Sequence, residues 1–86
     1  MAYRLNYLPA AQKSIEHLPR DMQRRLLDRI ETLSFNPRPP GCVKLTGQDA
    51  YRIRVGEYRV VYTIYDDRLL VLIIDVGHRR EVYRRK

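Results

Sequence analysis

Tyr51-Arg-Ile-Arg-Val-Gly-Glu-Tyr-Arg-Val-Val-Tyr-Thr-Ile-Tyr65 decides how this chain folds. Apolar residues recur in period 2 on both sides of Gly56-Glu57, a two-residue loop with glycine first, which is the sequence form of a type II′ hairpin turn. So short a loop sets the register: Val55 faces Tyr58, Arg54 faces Arg59, Ile53 faces Val60, Arg52 faces Val61 and Tyr51 faces Tyr62. Directly opposed residues share a face of a sheet. One face therefore carries Tyr51, Ile53, Val55, Tyr58, Val60 and Tyr62, which make a core. The other carries Arg52, Arg54 and Arg59, with no carboxylate among them.

Like charges opposed across a sheet cost stability. Three guanidinium groups gathered in spite of that cost outline a site for a phosphate-bearing partner, because the planar fork grips phosphate oxygens in pairs. Composition points the same way. The formal net charge is +7 over 86 residues and the pI is about 10.0, a balance suited to a polyanion, most often nucleic acid, or to an acidic protein. A hydrophobic share of 44% with 31% charged residues is ordinary for a globular protein. The length, residues 1–86, suits one domain with one modest core.

Cys42 is the single cysteine, set beside Pro39, Pro40 and Gly41 in a loop. It rules out an intrachain disulfide and a cysteine zinc cluster. His17 and His78 are far apart in sequence, so neither a metal constellation nor a cofactor is expected. The N-terminus has no apolar run of signal-peptide length, and nothing approaches a membrane span. A cytoplasmic protein with no membrane partner is expected.

Taken in order, Tyr3, Leu5 and Tyr7 mark a short first strand. Pro9 suits a first helical position. Ala11, Ile15 and Leu18 form an apolar helical stripe that stops before Pro19, and His17 suits the negative end of that helix's dipole. A second helix opens at Pro19-Arg20-Asp21 and buries Met22, Leu26, Ile30 and Leu33, with Leu27 widening the stripe; it ends by Asn36-Pro37. Its wetter side, with Arg20, Arg24, Arg25, Asp28, Arg29 and Glu31, reads as solvated. From Phe35 to Ala50 the prolines and glycines give an irregular connection. Asp66-Asp67 makes a turn. Arg68 to Val76 is apolar on both faces, an interior strand that Gly77 breaks, and a short final strand is expected around Val82. The class is α+β: a short N-terminal strand, a helical hairpin, then an antiparallel sheet of three to four strands. Both helices lie on one face and the arginine face stays open.

Lys44-Leu-Thr-Gly47, the hairpin Tyr51 to Tyr62, and Gly77-His-Arg-Arg-Glu-Val-Tyr83, in that order and at those spacings, resemble the RelE branch of the RelE/ParE toxin superfamily. The resemblance spans nearly the whole chain. It implies a bacterial toxin of a type II toxin–antitoxin system, neutralised by a RelB-like antitoxin, whose free form enters the ribosomal A site and cleaves mRNA there. It also implies site residues: Arg52 and Arg54 on the first hairpin strand, Arg59 on the second, Arg79 or Arg80 after the last long strand, and Tyr83. A well-known member has lysines where Arg52 and Arg54 stand. Arginine does not give up its proton, so charge stabilisation is the role expected of these two, and the general base is left unassigned.

Cleavage by the neighbouring 2′-hydroxyl needs that hydroxyl activated, the phosphorane stabilised and the leaving oxygen protonated. The arginines serve the second need. Tyr83 can orient the phosphate, stack on a base or give up a proton, and His78 can donate a proton near neutral pH. Two other functions compete. A ParE-like toxin would inhibit DNA gyrase and leave RNA intact, though that branch generally lacks the full basic set with the terminal tyrosine. A non-catalytic nucleic-acid-binding module would present stacking aromatics on the arginine face, where only Tyr65 qualifies.

Overall fold

The computed structural model describes residues 2–78. Seven elements follow in order: β1 (Arg4–Tyr7), α1 (Pro9–Glu16), α2 (Arg20–Thr32), β2 (Val43–Lys44), β3 (Tyr51–Val55), β4 (Tyr58–Tyr65) and β5 (Leu70–His78). Pro9 stands at the first helical position of α1, where its missing N–H costs nothing. The strands form one sheet in the order β1-β5-β4-β3-β2. Four of them run antiparallel, while β1 pairs parallel to β5 at the edge. No helix among the described residues is long and apolar enough to cross a membrane.

The β3–β4 hairpin has the register its two-residue loop dictates, from Val55 opposite Tyr58 to Tyr51 opposite Tyr62. Gly56 takes a φ of 61° and Glu57 does not share the left-handed region, as a type II′ turn requires. Both helices cover the face that carries Ile53, Val55, Val60 and Tyr62. Leu26, Ile30 and Leu33 of the second helical segment are fully buried there, with Ala11 and Ile15 from α1. Each large aliphatic side chain buried in this way contributes about 1.5–3 kcal/mol. Leu27, expected to widen the stripe, is instead 40% exposed. It follows Leu26 by one residue, about 100° round the helix, and so turns away from the sheet.

Two departures lie in segments whose pattern is too short or too apolar to read. The connection from Phe35 to Ala50 contains β2, whose Val43 and Lys44 pair with Arg52 and Tyr51. Two residues carry no periodicity, so such a strand leaves no signal. In β5 the strand does not stop at Gly77 but runs on to His78, paired along its length with β4. Between Val61 and Tyr62 of β4 the register slips by one, because Asp75 pairs with Val61 while Ile73 pairs with Tyr62. Ile74 is thus the extra residue of a β-bulge. Without it, strict alternation from Val71 and Ile73 would point Asp75 into the core. With it, Val76 is buried and Asp75 turns to the arginine face.

The Pro37–Pro39 segment is fastened by polar contacts. The Arg38 guanidinium bridges Asp66 (Nη2 to Oδ2, 2.9 Å) and donates from Nε to the Tyr51 hydroxyl (3.2 Å). The Tyr3 hydroxyl also donates to Asp66 (2.7 Å), and these bonds, Arg38 first, hold the Asp66 carboxyl below the usual carboxylate range. Beneath them the fully buried Tyr62 donates to the Pro37 carbonyl (2.7 Å) and stacks on Tyr51 with ring centres 5.9 Å apart. Burial, with Cys42 alongside, raises the Tyr62 hydroxyl well above its ordinary pKa. Tyr62→Phe leaves the Pro37 carbonyl without this donor and is expected to cost about 1–2 kcal/mol in urea unfolding.

Candidate nucleic-acid interface

The register places Arg52, Arg54 and Arg59 on the face that the helices leave uncovered. They differ in exposure: Arg54 is exposed and Arg52 half-buried, whereas Arg59 is only 3% exposed. Val61 and Thr63, further along β4 on the same face, are buried too. The expectation of an open face therefore holds at the hairpin tip and fails at the sheet centre. The β3 side of β4 supplies neighbours for Val61 and Thr63. Arg52 stands directly opposite Val61, and the chain entering β3 runs beside Thr63, whose hydroxyl donates to the Asp49 carbonyl (3.1 Å).

Gly77 sits directly across from Arg59 on β5, so no side chain occupies the position opposite the guanidinium. One register step further, Asp75 pairs with Val61. That makes it a diagonal neighbour of Arg59, within reach of a long side chain, and it is half-buried. Neither Arg59 nor Asp75 is an isolated charge, since each is engaged by neighbouring groups. Asp75 brings a carboxylate to a face on which the hairpin alone shows none. Its one trace in the sequence is a single charge interrupting an apolar strand.

His78 does not join the arginines. It pairs with Tyr58, whose face is the core face, and the two rings meet edge-on with centres 5.8 Å apart. With His17, Lys13, Ser14 and Tyr58 it lines a cleft of about 640 Å³ between α1 and the ends of β4 and β5. The two histidines, far apart in sequence, are thus brought to one cleft. His17 is the C-cap of α1, and its Nδ1 lies 2.7 Å from the Lys13 carbonyl, which fits a helix-end role. No group of three or more His, Cys, Asp or Glu side chains suited to a metal ion occurs among the described residues.

Tyr65 is the aromatic of β4 on the arginine face, and the Arg68 guanidinium lies 5.3 Å from its ring centre. That cation occupies a surface on which a base would have to stack. Arg79, Arg80, Tyr83 and the strand expected around Val82 lie outside the described residues.

Known proteins resemble this chain in sequence and in fold. The sequence profile of the family described as "ParE toxin of type II toxin-antitoxin system, parDE" matches residues 5–83. The chain is 33% identical over 88 residues to the mRNA interferase toxin RelE of Escherichia coli strain K12, covering 96% of this chain and 92% of that protein. Its fold superposes with a TM-score of 0.82 on the crystal structure of the archaeal RelE–RelB complex from Pyrococcus horikoshii OT3, at 30% identity over 92% of this chain and 97% of that one. The intact E. coli RelBE toxin–antitoxin complex gives a TM-score of 0.79, at 30% identity over 90% of this chain and 96% of that one.

Proposed function

Because this chain belongs to the RelE/ParE superfamily of toxins of type II toxin–antitoxin systems, we propose that it is a ribosome-dependent endoribonuclease that cleaves mRNA in the A site and is neutralised by a RelB-like antitoxin. The observation that carries this reading is the convergence of Arg52, Arg54 and Arg59 on one sheet face with Asp75 beside them. Arg52 and Arg54, the more accessible pair, hold the scissile phosphate. Arg59 is screened from water, and a charge in a low-dielectric site acts more strongly on developing negative charge. It stabilises the phosphorane.

The 2′-oxygen attacks phosphorus and forms the new P–O bond as the bond to the 5′-oxygen breaks. The products are a 2′,3′-cyclic phosphate upstream and a 5′-hydroxyl downstream. The proton leaving the 2′-hydroxyl needs an acceptor, and arginines do not serve. Asp75 is the carboxylate that β5 presents to this face, so it takes that role. His78 faces the helices and is left out of the mechanism. By the resemblance to the RelE branch, Arg79 or Arg80 adds positive charge and Tyr83 gives up the proton that the leaving 5′-oxygen takes. The ribosome holds the mRNA in line, which explains why so small a site can suffice.

Purified protein added to programmed ribosomes tests the reading. Cleavage at the A-site codon is expected, unaffected by chelators that spare the ribosome's own magnesium, and far faster than on naked RNA. End-group analysis should find the cyclic phosphate and the 5′-hydroxyl. A 5′-phosphate on the downstream fragment would overturn the mechanism. Intact mRNA together with inhibited gyrase supercoiling would overturn the function in favour of the ParE-type activity.

A further inference from the structure

We propose that the notch between α2 and the tip of the β3–β4 hairpin is a second phosphate site, holding an RNA phosphate other than the scissile one; the inference rests on the RNA-cleaving function proposed above. The notch, about 460 Å³, is lined by Arg25, Arg29 and Thr32 from α2 and by Arg54 and Gly56 from the hairpin, with Asp28 at its side. Arg25 and Arg29 are one helical turn apart and share a face of the helix. The Arg25 guanidinium reaches the hairpin tip: a side-chain carbon at Gly56 would lie 3.7 Å from its Nη2. Three arginines from two elements thus meet around one concavity.

None of the three guanidinium groups has an ion pair or hydrogen bond among the described residues, and neither has the Asp28 carboxylate next to them. Like charges at adjacent helix positions and across a gap repel one another, and Asp28 sets one negative charge against three positive ones. An external anion removes that repulsion, and phosphate matches the paired donors of each guanidinium. Arg54 belongs to both the notch and the arginine face. It is two residues from Arg52 along β3, about 7 Å, a step of the order of the spacing between phosphates in a single strand. A strand whose scissile phosphate sits over Arg52 and Arg59 reaches Arg54 in one step and from there turns round the hairpin tip into the notch on the helix side.

RNA fits better than an acidic segment of the antitoxin. A bound peptide draws affinity from apolar anchors in pockets, and the one aliphatic lining residue, Val55, is already buried in the protein's own core.

The test is the double variant Arg25→Gln/Arg29→Gln, with Arg25→Lys/Arg29→Lys as charge-retaining control, both checked for an unchanged melting temperature. Binding is measured by anisotropy on a single-stranded 2′-O-methyl oligoribonucleotide, which cannot be cleaved, across a salt series. The Gln variant should bind about tenfold more weakly at low salt, with the slope of log affinity against log salt smaller by about 0.7 for one lost phosphate contact. The Lys variant should keep most of that slope. On ribosomes the Gln variant should raise KM about tenfold while kcat changes less than twofold. An unchanged slope, or weakened capture of the antitoxin's acidic segment with RNA binding intact, would overturn the site. If wild type binds the oligonucleotide with the expected slope change but cuts nothing on ribosomes, the notch stands and the cleavage function fails.

Discussion

Arg59→Ala is expected to lower the rate of A-site cleavage by about a hundredfold to a thousandfold, the usual effect of removing one donor aimed at a developing oxyanion. Ribosome binding should weaken by less than about tenfold. The asymmetry follows from position: Arg54 and Arg52 are the accessible cations that meet the phosphate first, while Arg59 lies beneath the surface at 3% exposure. Its charge matters most when negative charge accumulates on the non-bridging oxygens, so its contribution appears in kcat. Burial also makes alanine a packing change. Arg59→Lys keeps the charge and much of the volume but loses the paired donors, and it should recover part of the rate. Equal loss of binding and rate would sink the assignment. So would a defect that vanishes once activity is scaled to the folded fraction.

Asp75→Asn separates a proton acceptor from a mere counter-charge. As the acceptor, Asp75 contributes about a hundredfold or more to kcat. The asparagine variant should lose that factor in rate with an unchanged melting temperature. It should bind the ribosome at least as well as wild type, because the substitution removes a negative charge from a basic face. A counter-charge role would show the reverse: a lower melting temperature and little change in kcat. Asparagine is isosteric with aspartate and leaves the bulge at Ile74 untouched, so the two outcomes remain readable.

The hairpin was the most legible part of the chain. A two-residue loop beginning with glycine leaves one register open to two alternating strands, and that register alone assigned Arg52, Arg54 and Arg59 to a face. The helices were nearly as plain, because Ala11, Ile15, Leu26, Ile30 and Leu33 repeat at helical spacing and all of them are buried. The three segments quoted for the RelE branch carried the family as well, and the match over residues 5–83 bears that out.

Other features had no local pattern from which they could be read. β5 is apolar on both faces, so its sequence cannot say which side chains point where; pairing with β4 and β1 decides that, and the bulge at Ile74 resets the alternation within it. That reset turns Asp75 to the arginine face and leaves His78 on the helix side. The depth of Arg59 at 3% exposure has no local signature, and the two histidines share a cleft only because α1 packs against β5. The notch likewise joins Arg25 and Arg29, which read as an ordinary solvated helix face, to Arg54 of the arginine face. Spacing along the chain determined which residues share a strand or a helix face, because backbone geometry is local. Which faces meet, and how deeply a charge lies, was decided only by packing between elements distant in sequence.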